Sequence, residues 1–403
     1  MKRNQLNKSV PFISELLLAP GPTMVDAEVL EALAQAPLSH VDPRFVAIYS
    51  EALSQTRRIF QLTGGAVFLL AGSGTLAMEM ALVNTVAPEE RLLVVSHGFF
   101  GDRFARIAAA FGIQADLLSA PWGQRVPAEE VAAALQSQRY QAVAVTHVDT
   151  STGVEADLPS LVPLVKAHGA LFLLDGVCAT GAIEEEMSKT YGDPAYVIDL
   201  VFSGSQKALG LPPGLFLLAM GEGALAARWA MPRIPAFYAD ALNWLPVMED
   251  PSRYFATPPV NMVTAYRIAM QRLFAEGLET RYLRHRVQGQ AVRAALRSIG
   301  FTPLAEEDVA ASTVSCLRYP AGLDDISFRG GLARRGVIVA GGLAQTKGLA
   351  FRMGHLGNVT AVELRRALTH ISATMVELGA HLDLPVAMEI FNEVMAGGLE
   401  VGR

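Results

Sequence analysis

Six short apolar runs set the architecture open to this chain: Ala66–Leu70, Arg91–Ser96, Gln141–Val148, Ala170–Leu174, Asp199–Phe202 and Gly214–Ala219. Most are continuously apolar rather than alternating, the pattern of strands buried on both faces of a mainly parallel sheet. Parallel neighbours need crossover connections. Helical patterns lie between most of the runs, at Thr75–Val86, Phe99–Phe111, Ala128–Gln136 and Leu158–Ala167. The alternation predicts an α/β fold.

A Pro- and aromatic-rich stretch, Pro232–Pro259, interrupts this order. Beyond it the periodicity predicts helices at Val263–Glu276, Leu278–Ser298, Ser327–Arg335 and Ala361–Leu378, and strands at Thr313–Tyr319, Val337–Ala340 and Leu349–Met353. The expected organisation is a large α/β domain over residues 20–258 and a smaller α+β domain formed by 1–19 with 259–403. Leu384–Met395 reads as an appended amphipathic helix.

Composition removes several classes of function. With 51% apolar and 18% charged residues in 403, the chain has the makings of a well-buried globular protein. A net charge of −6, with Lys and Arg scattered, gives no electrostatic reason for a nucleic-acid or membrane partner. No stretch reaches the ~20 apolar residues of a spanning helix. Met1–Lys8 is basic but has no apolar segment behind it, so no secretory signal is read there. Two cysteines, Cys178 and Cys316, are too few for a metal array or a disulfide framework. A cytoplasmic protein with no bound metal is the expectation.

The chemistry centres on Lys207, in Ser203-Gly204-Ser205-Gln206-Lys207-Ala208-Leu209, directly after a buried strand. A lysine there is costly unless its ammonium is neutralised or used. The preceding apolar run delivers Asp175 into a second small-residue turn. Capping that turn is the plainer role for an aspartate, but open α/β sheets gather ligands at the carboxyl ends of their strands, where both residues fall. An imine-forming lysine and a buried aspartate are what pyridoxal phosphate (PLP) needs as anchor and as partner for its ring nitrogen.

Gly72-Ser73-Gly74-Thr75 also follows a strand and opens a helix, which suits an anion as well as it suits a tight turn. The same glycines fit a dinucleotide fingerprint, but the next strand ends Val94-Val95-Ser96-His97, without the acidic residue that fingerprint requires. His147, Asp149 and Thr150 lie at the same sheet edge, with His147 read as structural. On the residues alone, Phe100 and Cys178 read as core. There is no G-x-S-x-G elbow, no S-x-x-K at Lys207 and no Walker lysine.

Taken together these segments resemble the class V aminotransferases of fold type I, particularly the alanine–glyoxylate and serine–pyruvate group. The likeness runs through Leu18-Ala19-Pro20-Gly21-Pro22, His40-Val41-Asp42-Pro43, the glycine loop, His147–Gly153, Ser203–Leu209, Pro212-Pro213-Gly214 and Arg352-Met353-Gly354-His355. It implies a mainly parallel seven-stranded sheet and PLP as cofactor. In that likeness Lys207 carries the cofactor and moves the substrate proton, while Asp175 keeps the ring nitrogen protonated. Ser73, Gly74 and Thr75 bind the phosphate with help from Gln206. Phe100 stacks on the ring, and Thr150 lies near the ring or the substrate. Arg352 holds the substrate carboxylate, beside Gly21. Tyr254 and Thr257 reach the neighbouring subunit's phosphate, which implies a homodimer.

Phe255 and Ala256 stand where relatives often carry two histidines. The loop Gly341–Lys347 lacks the usual Gly-Pro, and extra residues separate Glu184-Glu185-Glu186 from Asp199. These departures bear on the substrate side. The expected partners are therefore small amino and 2-oxo acids: alanine or serine as donor, glyoxylate or pyruvate as acceptor. A transaminase of 2-aminoethylphosphonate, ureidoglycine or pyridoxamine is the alternative. A cysteine desulfurase is disfavoured because Cys316 falls in an apolar run. A PLP-binding regulatory domain is disfavoured because the chain has no room for an effector module. Arg44 and Arg103 are the remaining candidates for a second cation that would clamp a dicarboxylate.

Overall fold

The computed structural model describes residues 15–380 and 384–400; the N-terminal stretch read for a signal, Met1–Lys8, lies outside them. In chain order the first half runs β1 (Leu16–Leu17), α1 (Ala27–Leu33), α2 (Pro43–Ile59), β2 (Ala66–Gly72), α3 (Gly74–Val83), β3 (Arg91–Ser96), α4 (Phe99–Ala110), β4 (Gln114–Ser119), α5 (Ala128–Ser137), β5 (Ala142–Thr146), a small hairpin of β6 (Val148–Asp149) and β7 (Val154–Glu155), α6 (Leu158–His168), β8 (Leu171–Asp175), β9 (Leu200–Gly204) and β10 (Gly214–Met220). Seven of these strands form one sheet in the order β2-β10-β9-β8-β5-β3-β4, parallel except for β10, which is antiparallel to both neighbours. Its central strands are buried along their length, save the first residues of β3 and β8, which is why they read as apolar runs.

The edge strand β4 escapes that reading. Gln114-Ala115-Asp116-Leu117-Leu118-Ser119 is partly or fully exposed along its length, so its polar residues are those of a strand with only one neighbour. The predicted strands also stop short: Asp175 and Gly204 still belong to the ladders, because backbone pairing outlasts the apolar run. Helices α1 and α2 carry no predicted counterpart. Asp42 caps α2, accepting from Arg44 N–H at 2.9 Å, and Pro43 sits in its first turn, where a missing N–H costs nothing.

The second half runs α7 (Glu222–Ala230), α8 (Ala241–Glu249), α9 (Val260–Glu276), α10 (Leu278–Ser298), β11 (Thr302–Pro303), β12 (Val314–Arg318), α11 (Asp325–Arg334), β13 (Val337–Ile338), β14 (Ala340–Gly341), β15 (Ala350–Gly354), α12 (Ala361–Glu377) and α13 (Leu384–Glu400). A four-stranded sheet, β11-β12-β15-β14, packs with α10, α12 and α13 around a second core. Strand β1 pairs parallel to β13, which brings Leu16 and Leu18 into that core. Helix α9, placed with the small domain by the sequence, instead buries Val263, Tyr266, Met270 and Leu273 in the large core. Helix α13 is no surface appendage either, since Phe391 is fully buried and packs in the second core. Among the described residues no helix is long and apolar enough to cross a membrane.

Candidate active site

Strands β8 and β9 are parallel neighbours, with Asp175 level with Phe202, so Asp175 and the loop after β9 emerge side by side. That loop is clamped. Ser205 Oγ donates to Pro212 O at 2.6 Å and accepts from Leu215 N–H at 3.2 Å, closing the return into β10. Thr23 Oγ1 donates to Lys207 O at 2.8 Å. The amine of Lys207 donates to Pro20 O, and Gly21 lies against the lysine's aliphatic arm. Gly21 has φ of +124°, a backbone conformation that residues with a side chain rarely adopt, and a Cβ there would sit 2.5 Å from Lys207 Nζ.

Asp175 is 4% exposed and accepts from Val177 N–H at 2.9 Å. Burial pushes its carboxyl up to about 7, against the pull of that hydrogen bond; Asp149 and Glu185 add to the rise and Lys207 opposes it. A carboxyl so placed is poised to accept a cationic N–H. Beside it the anion end is built on the N-terminus of α3. Ser73 caps the helix, and Gly74 is pressed so close to Val177 that a Cβ would meet its Cγ2 at 2.9 Å. Gln206 contributes a buried amide whose oxygen has no hydrogen-bond partner in the structure; turning that amide over offers its NH2 to an acceptor.

Phe100 is held by Asp149, which the sequence placed at the sheet edge without giving it a role. Asp149, fully buried, accepts from Phe100 N–H at 2.8 Å and Gly101 N–H at 3.1 Å, and its other oxygen accepts from Ser151 N–H and Oγ. Burial raises its pKa while these hydrogen bonds pull it down. The Asp149-x-Ser151 spacing of an Asx-type turn is the signal that could have found it.

Ser73, Gly74, Thr75, Phe100, Thr150, Asp175, Gln206 and Lys207 all line one cavity of about 130 Å³. A larger cleft of about 710 Å³ lies between Glu155, Tyr191 and Arg286 and contains none of them. Convergent polar groups, not volume, single out the smaller one. A primary amine, a buried carboxyl and a helix N-terminus within one cavity are the kinds of group that suit PLP.

Arg352 stands on β15 of the small sheet, outside the cavity lining. Its Nε donates to Gly341 O at 2.8 Å and its Nη1 reaches Thr150 O at 3.4 Å, linking the small sheet to the turn after β6. Tyr254 and Thr257 are also outside the lining; their hydroxyls lie 3.4 Å apart, and Tyr254 is exposed. Arg44 is on the surface, paired with Asp42 at 2.7 Å, whereas Arg103 lines the cavity. His147 is buried and bonded through Nδ1 to Glu185 at 2.7 Å. Burial pulls its pKa down, but the carboxylates of Glu185, Glu155 and Asp175 together more than offset this and the net shift is upward. Cys316 is buried on β12 with its thiol pushed up to about 11 by burial, unlike a mobile nucleophile.

One further side chain joins the two cores at the site. Arg281 of α10, buried, donates through Nε to Gly181 O at 2.7 Å and through Nη2 to Ala208 O at 2.6 Å. Its Nη1 pairs with Glu276 at 2.6 Å.

Comparison with known proteins agrees with this geometry. The family described as aminotransferase class-V matches residues 16–360. The chain is 32% identical to an uncharacterised aminotransferase of Methanocaldococcus jannaschii, over 98% of each. It is 32% identical to alanine–glyoxylate aminotransferase 1 of Saccharomyces cerevisiae, over 86% of this chain and 93% of that one. It is 29% identical to a serine–glyoxylate aminotransferase of Methylorubrum extorquens, over 90% and 91%. Among solved structures, the alanine–glyoxylate aminotransferase of Nostoc superposes with a TM-score of 0.86 at 29% identity, covering 93% of this chain and 98% of that one. With this match over most of its length, the chain belongs to the class V aminotransferases, enzymes that work with pyridoxal phosphate.

Proposed function

We propose that this enzyme transfers an amino group from alanine or serine to glyoxylate or pyruvate by alternating half-reactions. The observation that carries the reading is the shared cavity in which Lys207, Asp175 and the start of α3 converge, with Arg352 reaching toward Thr150 at its edge. Bound PLP supplies the electron sink for a negative charge at the substrate Cα. Asp175 keeps the proton on the ring nitrogen, and the Lys207 amine takes and returns the proton at Cα. Ser73, Gly74, Thr75 and Gln206 hold the phosphate, Phe100 covers one face of the ring, and Thr150 lies beside it. Arg352, with Gly21 nearby, anchors one substrate carboxylate through its planar fork.

The active form is a cytoplasmic homodimer in which Tyr254 and Thr257 complete the partner's phosphate site. Their exposure in the single chain and the free, buried thiols of Cys178 and Cys316 support this. The chain divides at Gly277, between α9 and α10, since α9 packs in the large core.

The test is an absorbance titration of the purified protein. L-Alanine should abolish the cofactor's imine band and glyoxylate should restore it. A band that neither alanine nor serine alters would overturn the donor assignment, and protein that takes up no PLP would overturn the whole reading.

A further inference from the structure

A phosphate ester carries between one and two negative charges at neutral pH. The groups assigned to hold it here are neutral: the hydroxyls of Ser73 and Thr75, those of Tyr254 and Thr257 reaching in from the second subunit, an amide and backbone N–H groups, together with a helix terminus equivalent to about half a positive charge. Enclosing such an anion among neutral donors alone is costly. Lys207 is committed to the imine. Among the described residues lining the cavity, Arg103 is the only other cation.

We propose that Arg103 is a cofactor-binding residue whose guanidinium neutralises the PLP phosphate at the start of α3. This rests on PLP occupying the cavity. Three observations place the group for that task. Arg103 Nη1 donates to Thr75 Oγ1 at 3.1 Å, which leaves the threonine's own proton free to be donated into the cavity. The guanidinium has no carboxylate partner among the described residues. Its neighbour Asp102 accepts from Ser96 Oγ at 2.7 Å, and Asp149 is occupied by Phe100, Gly101 and Ser151. Finally, it lies 4.9 Å from the Phe100 ring centroid and 5.2 Å from that of Phe99, so aromatic faces fix its position before any ligand arrives.

The contact with Thr75 also decides between two roles. A clamp for a second substrate carboxylate would have to be free to reach the substrate rather than the phosphate end of the cavity. Arg103 is bonded to the helix start instead, one turn along α4 from Phe100. The same side chain that backs the ring-stacking residue therefore supplies charge for the phosphate.

The experiment titrates the full-length, cofactor-stripped protein with PLP, with pyridoxal, which lacks the phosphate, and with inorganic phosphate as competitor. Arg103→Met should weaken PLP by about 10- to 100-fold, the span expected for lost charge-assisted hydrogen bonds. Inorganic phosphate should weaken in parallel and pyridoxal should be unchanged. Arg103→Lys, which keeps the charge, should recover part of the loss. Equal weakening of PLP and pyridoxal would make Arg103 a packing residue and overturn the proposal. So would unchanged PLP affinity combined with a raised KM for an acidic donor. If the unaltered protein bound no PLP, the cofactor reading itself would fail, an outcome distinct from either.

Discussion

Individual side chains at the strand ends derive their chemistry from burial. Asp175 has a folded-state pKa of about 7, above the ordinary carboxylate value near 4. In cofactor-stripped protein the folded state therefore holds this proton more tightly than the unfolded chain. The stability it contributes is complete below about pH 4 and is lost as the pH rises through about 7, on the order of 4 kcal/mol in all. Asp175→Asn should flatten that part of the profile, as read from urea midpoints across the range; superimposable profiles would refute the assignment. Lys207 and Asp175 were legible in the sequence because an ionisable group after an apolar strand is conspicuous. Asp149 was placed only at the sheet edge and Arg103 only as a candidate carboxylate clamp, because the contacts that define them lie on other elements, Asp149 with the backbone of α4 and Arg103 with Thr75.

Among the elements, α4 carries more of the site than its sequence suggests. It begins against the end of β3 so closely that a Cβ on Gly101 would fall 2.5 Å from Ser96 Oγ and 2.7 Å from Ser96 Cα. The second of these is backbone and cannot rotate away. Gly101→Ala should therefore push α4 off the sheet, carrying Phe100 and Arg103 with it. The expected result is a loss of about 1–3 kcal/mol in urea denaturation together with weaker PLP binding. A destabilised variant with unaltered PLP affinity would mean that α4 does not position the site. The buried strands and most helices were legible from their periods. Strand β4 was hidden by its one-sided exposure, α1 and α2 by polar faces and a proline that marks a start rather than a break, and the reach of α13 by the packing of Phe391.

On the scale of the whole molecule, the proposed shared sites make a stoichiometric prediction. A Lys207→Ala chain and a Tyr254→Ala/Thr257→Ala chain should each be nearly inactive. When they are mixed, unfolded and refolded together, half the dimers are hybrids with one complete site, restoring about a quarter of normal activity. No recovery, despite hybrids visible by native mass spectrometry, would mean that each site is complete within one chain. The sequence placed the divide before α9, because a proline-rich stretch looks like a boundary even when the helix after it packs backwards. Where the cores meet, Arg281 bolts α10 to the carbonyls of Gly181 and Ala208, next to the lysine loop. A change in how α10 seats against the large core is therefore carried straight to Ala208, the residue after Lys207, so a side chain more than seventy positions away along the chain sets where the reactive amine stands.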